Sequence, residues 1–334
     1  MEVRTTFLTP EELREIINYS SLVRKDGGEE GKIGIEKDSD SNLPYELIGW
    51  QRKLVNLFFL PIMSLLANFS KLGVWIFFRS IACRSVRKYA TGHKALEIIY
   101  TFPWKNLESR PFVDRIASKI FFNILNAKAV RNRRLLVQRE LSCAINGFWS
   151  RDVMIASLGS GSARPVLEVI SGSNQKNIRA MLVDADKSAI KYSKSLAKKF
   201  GLDARLSWHR GLIKKFLKEF DDSIGGFLGS IIFEMVGIID YLSDEVVIDL
   251  FKSVRSRMVP GDLFITCNIA PNPEKRFMDR IIGWKMDYYR APERLANLAV
   301  SAGFNPVDCR IIGEPIGIHW ILICRVVNAD KEVN

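Results

Sequence analysis

The chain has 334 residues, 47% of them apolar, with 49 Lys and Arg against 37 Asp and Glu, a formal net charge of +12. That apolar content excludes a disordered chain, and the length suits a catalytic-size domain with a substantial extension. Five scattered cysteines (Cys83, Cys143, Cys267, Cys309, Cys324) without C-x-x-C spacing exclude a disulfide frame and a zinc site, and predict a reducing, cytoplasmic setting.

The first residues lack the apolar core of a secretory signal. Thr9-Pro10-Glu11-Glu12 reads as a helix start, with a cap, a proline in the first turn and acids behind it. Gly27–Ser41 has no apolar periodicity and is predicted to be a mobile linker. Leu54–Phe69 and Leu72–Cys83 are strongly apolar. Asn56, Pro61, Asn68 and Lys71 interrupt them before the roughly 20 apolar residues of a spanning helix are reached. Two readings stay open here. One is a helical hairpin packed on the rest of the chain. The other is peripheral contact with an anionic membrane through residues 54–88, apolar face down and basic residues at the headgroups.

Charge is unevenly placed. Residues 1–50 carry six Lys/Arg and eleven Asp/Glu, and residues 51–150 carry seventeen and four. A helix from about Asn126 to Ile145 spreads Arg131, Arg133, Arg134 and Arg139 around its circumference among Leu135, Leu136 and Val137. A nucleic-acid stripe gathers its arginines on one face with aromatic residues between them, so these are expected to pair or solvate.

Val153–Ala163 then breaks from an apolar run into a glycine turn, and Met181–Asp186 is a second apolar run ending on a carboxylate. This is the order of a βαβ unit that binds a nucleotide-containing cofactor. Gly159 and Gly161 permit a tight bend, and Asp184 is placed to accept from the two hydroxyls of a ribose. The third position of a dinucleotide fingerprint is Arg164, followed by Pro165, which suits no pyrophosphate. A helix Asp186–Phe200 and strands Ala204–His209 and Ser230–Met235 follow. Next come a helix Ser243–Met258, a Val259-Pro260-Gly261-Asp262 turn, a strand Leu263–Asn268 and a helix of about Pro292–Ala302. The last two runs, Val307–Ile312 and Ile318–Val327, are joined by only Gly313–Gly317. So short a link predicts antiparallel pairing.

From about residue 125 to 327 the chain resembles the class I S-adenosylmethionine-dependent methyltransferases. Three segments are similar to the bacterial branch that makes 3-hydroxypalmitic acid methyl ester: Gly237–Ser243, Trp284–Arg290 and Ala129–Arg134. The resemblance implies an α/β fold, a Rossmann-like seven-stranded sheet with a terminal antiparallel hairpin, plus an N-terminal helical region. It implies S-adenosyl-L-methionine as cofactor, held around Ser157, Gly159, Ser160, Gly161, Asp184, Ala185, Gly211, Leu212 and Glu234. Two departures stand out. Ser157 occupies the place of the family's acid two residues before the first glycine. Arg210-Gly211-Leu212 lacks the acid that meets the adenine amino group, so adenine contacts there are expected from backbone.

The division expected is 1–42 (helix and linker), 43–145 (basic, apolar helical region), 146–328 (methyltransferase domain) and 329–334 (tail). Acceptor residues are sought in loops after the strands. Arg290 is the candidate for holding an acidic substrate group, against a surface pair with Asp287 or Glu293. Tyr241 and Glu234 are further candidates, Tyr241 being equally readable as core. Ala270–Arg290 is long enough to cover a pocket. His209 and His319 lack an acid partner at a readable spacing and read as structural, and no cluster argues for a metal. The expected reaction is methyl transfer to a carboxylate or hydroxyl of a small or lipid-like molecule. An RNA methyltransferase using the basic helices and a non-catalytic S-adenosylmethionine-binding adaptor are the alternatives.

Overall fold

The computed structural model describes residues 32–49, 60–65, 67–102, 106–148 and 152–326. The helix start at Thr9, residues 54–59 of the first apolar run and the tail 329–334 lie outside them.

One eight-stranded sheet organises the chain. Its strands are β1 (Gly34–Lys37), β2 (Val153–Leu158), β3 (Ile178–Asp184), β4 (Leu206–Arg210), β5 (Ser230–Val236), β6 (Leu263–Ile269), β7 (Cys309–Gly313) and β8 (His319–Arg325), in the order β1-β7-β8-β6-β5-β2-β3-β4. β2 to β6 run parallel, and β8 pairs antiparallel with both β6 and β7. β2, β5 and β6 are buried along almost their whole length, as a central strand covered on both faces must be, so they read as unbroken apolar runs. This is the Rossmann-like methyltransferase fold with its terminal hairpin.

The sheet has one strand more than expected. Gly34–Lys37 lies inside the stretch read as a mobile linker, yet it pairs parallel with β7, Gly34 opposite Arg310 and Lys37 opposite Gly313. Only Ile33 and Ile35 pack on the core, too little alternation for the pattern to show. The acids behind them are used as well. Asp38 accepts from Arg139 at 2.7 Å and from the Tyr45 hydroxyl, Asp40 lies 3.4 Å from Arg139, and Glu46 accepts from Arg131 at 2.7 Å.

Ahead of the parallel strands, α1 (Ser70–Phe77), α2 (Ile81–Lys88), α3 (His93–Tyr100), α4 (Phe112–Phe122) and α5 (Leu125–Gly147) pack over one end of the sheet. Met63, Cys83, Val86, Ile99, Phe121 and Phe122 share a core with Ile269, Phe277, Met278 and Trp284. A buried carboxylate fixes where the longest helix begins. The Glu274 oxygens accept the backbone N–H groups of Leu125 (2.9 Å) and Asn126 (2.8 Å), orphan donors of the first turn of α5.

Arg290 contradicts the expectation that it holds substrate. It is 2% exposed. Its Nε donates to Asp244 at 2.7 Å, its Nη1 to the Ile239 carbonyl at 2.8 Å, and its Nη2 to the Leu242 carbonyl. The partner acid is neither Asp287 nor Glu293, and the pair is interior. Arg290 ties the loop after β5 to the segment after β6, and its donors are consumed in doing so. Arg290→Met should therefore lower the unfolding free energy by roughly 1–3 kcal/mol, the cost of leaving buried carbonyl acceptors unpaired, while Asp244 keeps Arg294. Urea denaturation reads this directly, and a loss under 1 kcal/mol would mean the clamp is dispensable.

Candidate cofactor and acceptor site

The glycine loop spends its own donors. Gly159 N–H and Ser160 N–H both donate to the Val183 carbonyl, at 2.8 and 2.9 Å, and Gly161 N–H donates to Asp184 Oδ2 at 2.8 Å. A phosphate site needs free N–H groups at a helix start, and these three point back at β3. The helix that follows, α6 (Arg164–Gly172), starts at Ala163 in the left-handed region, with Pro165 in its first turn. Arg164 turns away from the loop. Its Nε lies 2.9 Å from both Glu97 oxygens and its Nη1 3.1 Å from Glu168. Glu168 also meets Gln138 (2.5 Å) and Arg134 (3.5 Å), so it is no solvated helix residue.

Gly159 has φ +72° and an added Cβ would stand 2.4 Å from Ile238 Cδ1. The dihedral is what calls for glycine here, and the Ile238 side chain occupies the space a Cβ would take. Ser160 Oγ is buried without a partner beside it. Asp184, half-buried at the tip of β3, accepts Gly161 N–H through Oδ2 and Asp186 N–H through Oδ1 at 2.8 Å. It is less free than the sequence suggested, though each oxygen keeps a lone pair for a further donor. Asp186 caps α7 (Lys187–Lys199), accepting from Ser188 N–H at 2.7 Å. Ala185 is exposed beside it. Gly211 N–H returns to the Asp184 carbonyl at 3.1 Å, and Leu212 is 69% exposed on the rim.

The missing acid at Ser157 is replaced from the neighbouring strand. Ser157 and Glu234 are register partners on β2 and β5, and Ser157 Oγ donates to Glu234 Oε2 at 2.5 Å. Burial pushes the Glu234 carboxyl up to about 7, with the Ser157 hydrogen bond opposing. Ser157, Gly159, Ser160, Gly161, Asp184, Ala185, Gly211, Leu212 and Glu234 thus all stand at the carboxyl ends of β2 to β5. An orphan hydroxyl, two glycines and an acid at a strand tip are groups that could hold a nucleoside.

A pocket adjoins this cradle. It is bordered by Ile99, Phe121, Ile124, Met278, Trp284 and Met286, and its atom-free space reaches about 580 Å³ only when its opening to solvent is counted. Gly237, Asp240 and Tyr241 also border it, flanking in sequence the Ile238 that rests on Gly159. Tyr241 accepts from Trp284 Nε1 at 3.0 Å. Met278, Trp284 and Met286 all belong to the Ala270–Arg290 segment, which covers this pocket.

Three residues escaped the sequence reading. Arg133 borders the pocket from α5 although the basic helix reads as surface, and His319 reaches it from β8. His93 lies buried beside the glycine loop, its Cβ 3.5 Å from where a Cβ on Gly161 would be, and its Nδ1 3.5 Å from Asp186. Burial lowers the His93 pKa, against the pull of Asp186. A lone histidine carries no spacing signal, so only the tertiary fold reveals it. His209 packs at a tilt against Phe216, the ring centroids 5.1 Å apart. Among the described residues no group of His, Cys, Asp and Glu is arranged to hold a metal.

No family model and no curated protein matches the chain in sequence. Solved structures share its fold. A possible exported protein from Bordetella parapertussis aligns at 15% identity over 77% of this chain and 97% of that one, with a TM-score of 0.54. An O-methyltransferase family protein from Burkholderia thailandensis aligns at 12% identity over 70% and 67%, TM-score 0.44. Mitomycin 7-O-methyltransferase aligns at 12% identity over 67% and 60%, TM-score 0.43.

The raised Glu234 pKa has a measurable sign. Between the ordinary 4.5 and about 7 the folded chain holds a proton that the unfolded chain has released, so stability falls as pH rises across that window. Glu234→Gln should therefore gain stability over the parent between pH 5 and pH 8 in cofactor-free urea titrations. An identical pH slope in both proteins would refute the assignment.

Proposed function

We propose that the chain is an S-adenosylmethionine-dependent methyltransferase acting on a carboxylate or hydroxyl oxygen of a small or lipid-like acceptor. The observation that carries this reading is the glycine loop in which the Gly159, Ser160 and Gly161 N–H groups turn onto the tip of β3, where they are not free for a phosphate. Gly159, Ser160 and Gly161 would bound the cofactor, Asp184 would accept from its ribose, and Glu234 would face its cationic end. When bound, the cofactor supplies a methyl group on a positively charged sulfur, which an oxygen lone pair can take directly.

The residues around the pocket support direct transfer. The task of the protein is to hold donor and acceptor in line, and a loop fixed by β3 on one side and by Ile238 on the other is rigid enough for it. Tyr241 is no base. Burial raises its hydroxyl to about 12, so it stays protonated. An already ionised carboxylate needs no base, and the apolar walls favour an acceptor with a hydrocarbon part.

Asp184→Ala should weaken S-adenosylmethionine binding by roughly 10- to 100-fold, the loss of charge-assisted contacts, measured by titration calorimetry. Acceptor-dependent release of S-adenosylhomocysteine with a panel of acids and hydroxy acids tests the reaction. A protein that ignores S-adenosylmethionine while binding NADH or a nucleoside triphosphate would overturn the reading.

A further inference from the structure

The pocket behind Tyr241 contains a buried guanidinium that no carboxylate contacts directly. Arg133 is 5% exposed. Its Nη2 donates to Tyr100 Oη at 3.2 Å, its Nη1 lies 3.7 Å from where a Cβ on Gly237 would stand, and its Nε has no partner. Among the described residues no carboxylate comes within 4.0 Å of it. Its neighbours on α5 differ. Arg131 pairs with Glu46, Arg134 with Glu168 and Arg139 with Asp38. His319, 2% exposed, presents a second orphan in the same pocket, its Nε2, while its Nδ1 lies 3.9 Å from Cys267 Sγ. Burial and the Arg133 charge keep that imidazole neutral. Asp240 also borders the pocket and feels the Arg133 charge without contacting it, its Oδ1 being tied to Ile269 N–H at 2.9 Å.

A guanidinium and an imidazole buried with unpartnered nitrogens are costly, and such a cost persists where a ligand supplies the missing acceptor. We propose that Arg133 and His319 form the headgroup site of an amphipathic carboxylic acid whose hydrocarbon part lies against Ile99, Phe121, Ile124 and Met286. One cation matches one negative charge, where a phosphate asks for more donors. The site deepens the methyl-transfer reading and depends on it only for the chemistry that follows binding.

Titration of the wild-type chain with octanoate and with methyl octanoate, without S-adenosylmethionine, tests it. Octanoate should bind at least about tenfold more tightly, the worth of one charge-assisted hydrogen bond. Arg133→Met should erase that preference while keeping ester affinity, and Arg133→Lys should retain part of it. Equal affinity for acid and ester in the wild type, or a preference that survives in Arg133→Met, overturns the proposal. An intact acid preference in a chain that does not bind S-adenosylmethionine would sustain this site and sink the methyltransferase reading alone.

The outer side of the same helices carries a second, independent inference. Ile62, Leu65, Phe69 and Leu72 form a stripe at helical spacing, and these side chains, Trp75 and Phe112 are each at least half exposed. α4, which carries Phe112, packs beside α1 and α2. From residue 60 to 96 there are six Lys and Arg and no Asp or Glu. Lys71, Arg79, Arg84 and Lys88 are exposed around the stripe, with the Arg79 guanidinium 4.6 Å above the Trp75 ring. No helix among the described residues is long and apolar enough to cross a membrane. We infer that this face lies on an anionic phospholipid bilayer, apolar residues among the acyl chains and cations at the headgroups.

Cosedimentation with vesicles of phosphatidylcholine alone, or with about one-third phosphatidylglycerol, decides it. The wild type should bind the anionic vesicles at least about tenfold more strongly, since each cation near the surface contributes. The Leu72→Glu/Trp75→Glu double variant should lose binding with its melting temperature unchanged. Absence of vesicle binding overturns the inference. So does a wild-type dimer in solution that the double variant breaks, which would assign the face to a second copy.

Discussion

Buried N–H groups must find acceptors, and in this molecule that requirement shapes the cofactor cradle. The loop after β2 turns its donors onto the tip of β3, to the Val183 carbonyl and the Asp184 carboxylate. The turn is therefore only as well placed as the β2–β3 register, which pairs Leu158 with Val183. The Gly159, Ser160 and Gly161 N–H groups are thereby not free for a phosphate. Ile238 then rests on Gly159, so the loop after β5 inherits its position from the cradle. Acceptor pocket and cradle are two sides of one turn.

The helices over the pocket are held by charge as much as by apolar packing. Arg164, at the first turn after the glycine loop, binds Glu97 of α3 through both carboxylate oxygens, and Tyr192 of α7 adds a hydroxyl at 2.8 Å. Glu274 holds the start of α5 from the far side of the pocket. Arg139 takes Asp38 and Asp40 from the β1 region. The acidic start of the chain and its basic middle are thus partly each other's partners. Most of the α5 arginines are spoken for within the fold, which leaves Arg133 conspicuous.

How much of this was legible in the sequence follows from how local each signal is. The parallel strands were readable because continuous burial leaves an unbroken apolar run, and the terminal hairpin because Gly313–Gly317 is too short for a crossover. β1 was not, since four residues with one core-facing isoleucine on either side of Gly34 make no period, and its stability comes from a strand nearly 280 positions away. Glu234 was placed at the strand end correctly. Its role beside Ser157 depends on β5 lying next to β2, a fact of sheet order that no spacing encodes. Arg290 misled because a cation after two tyrosines in a loop resembles a ligand contact, while its acceptors, two carbonyls and Asp244, are contributed by a segment some 46 to 51 positions earlier. Arg133 failed in the opposite direction. Within a basic helix it looked like one solvated charge among four.

The exchange of Arg290 for Arg133 changes the chemistry that the site can perform. A cation on a surface loop, screened by water, gives a substrate little beyond steering. A guanidinium enclosed by Ile99, Phe121 and Met278 acts at much lower effective dielectric, where its hold on a carboxylate is stronger and is strongly dependent on that charge being there. Under the proposed reaction the acid enters charged and the ester leaves neutral. The interaction that retains the substrate is then lost on methylation, so the pocket that binds the acid tightly has little left with which to hold the ester. Selection of substrate and release of product become the same electrostatic contact, present before transfer and absent after it, and neither needs a proton to move.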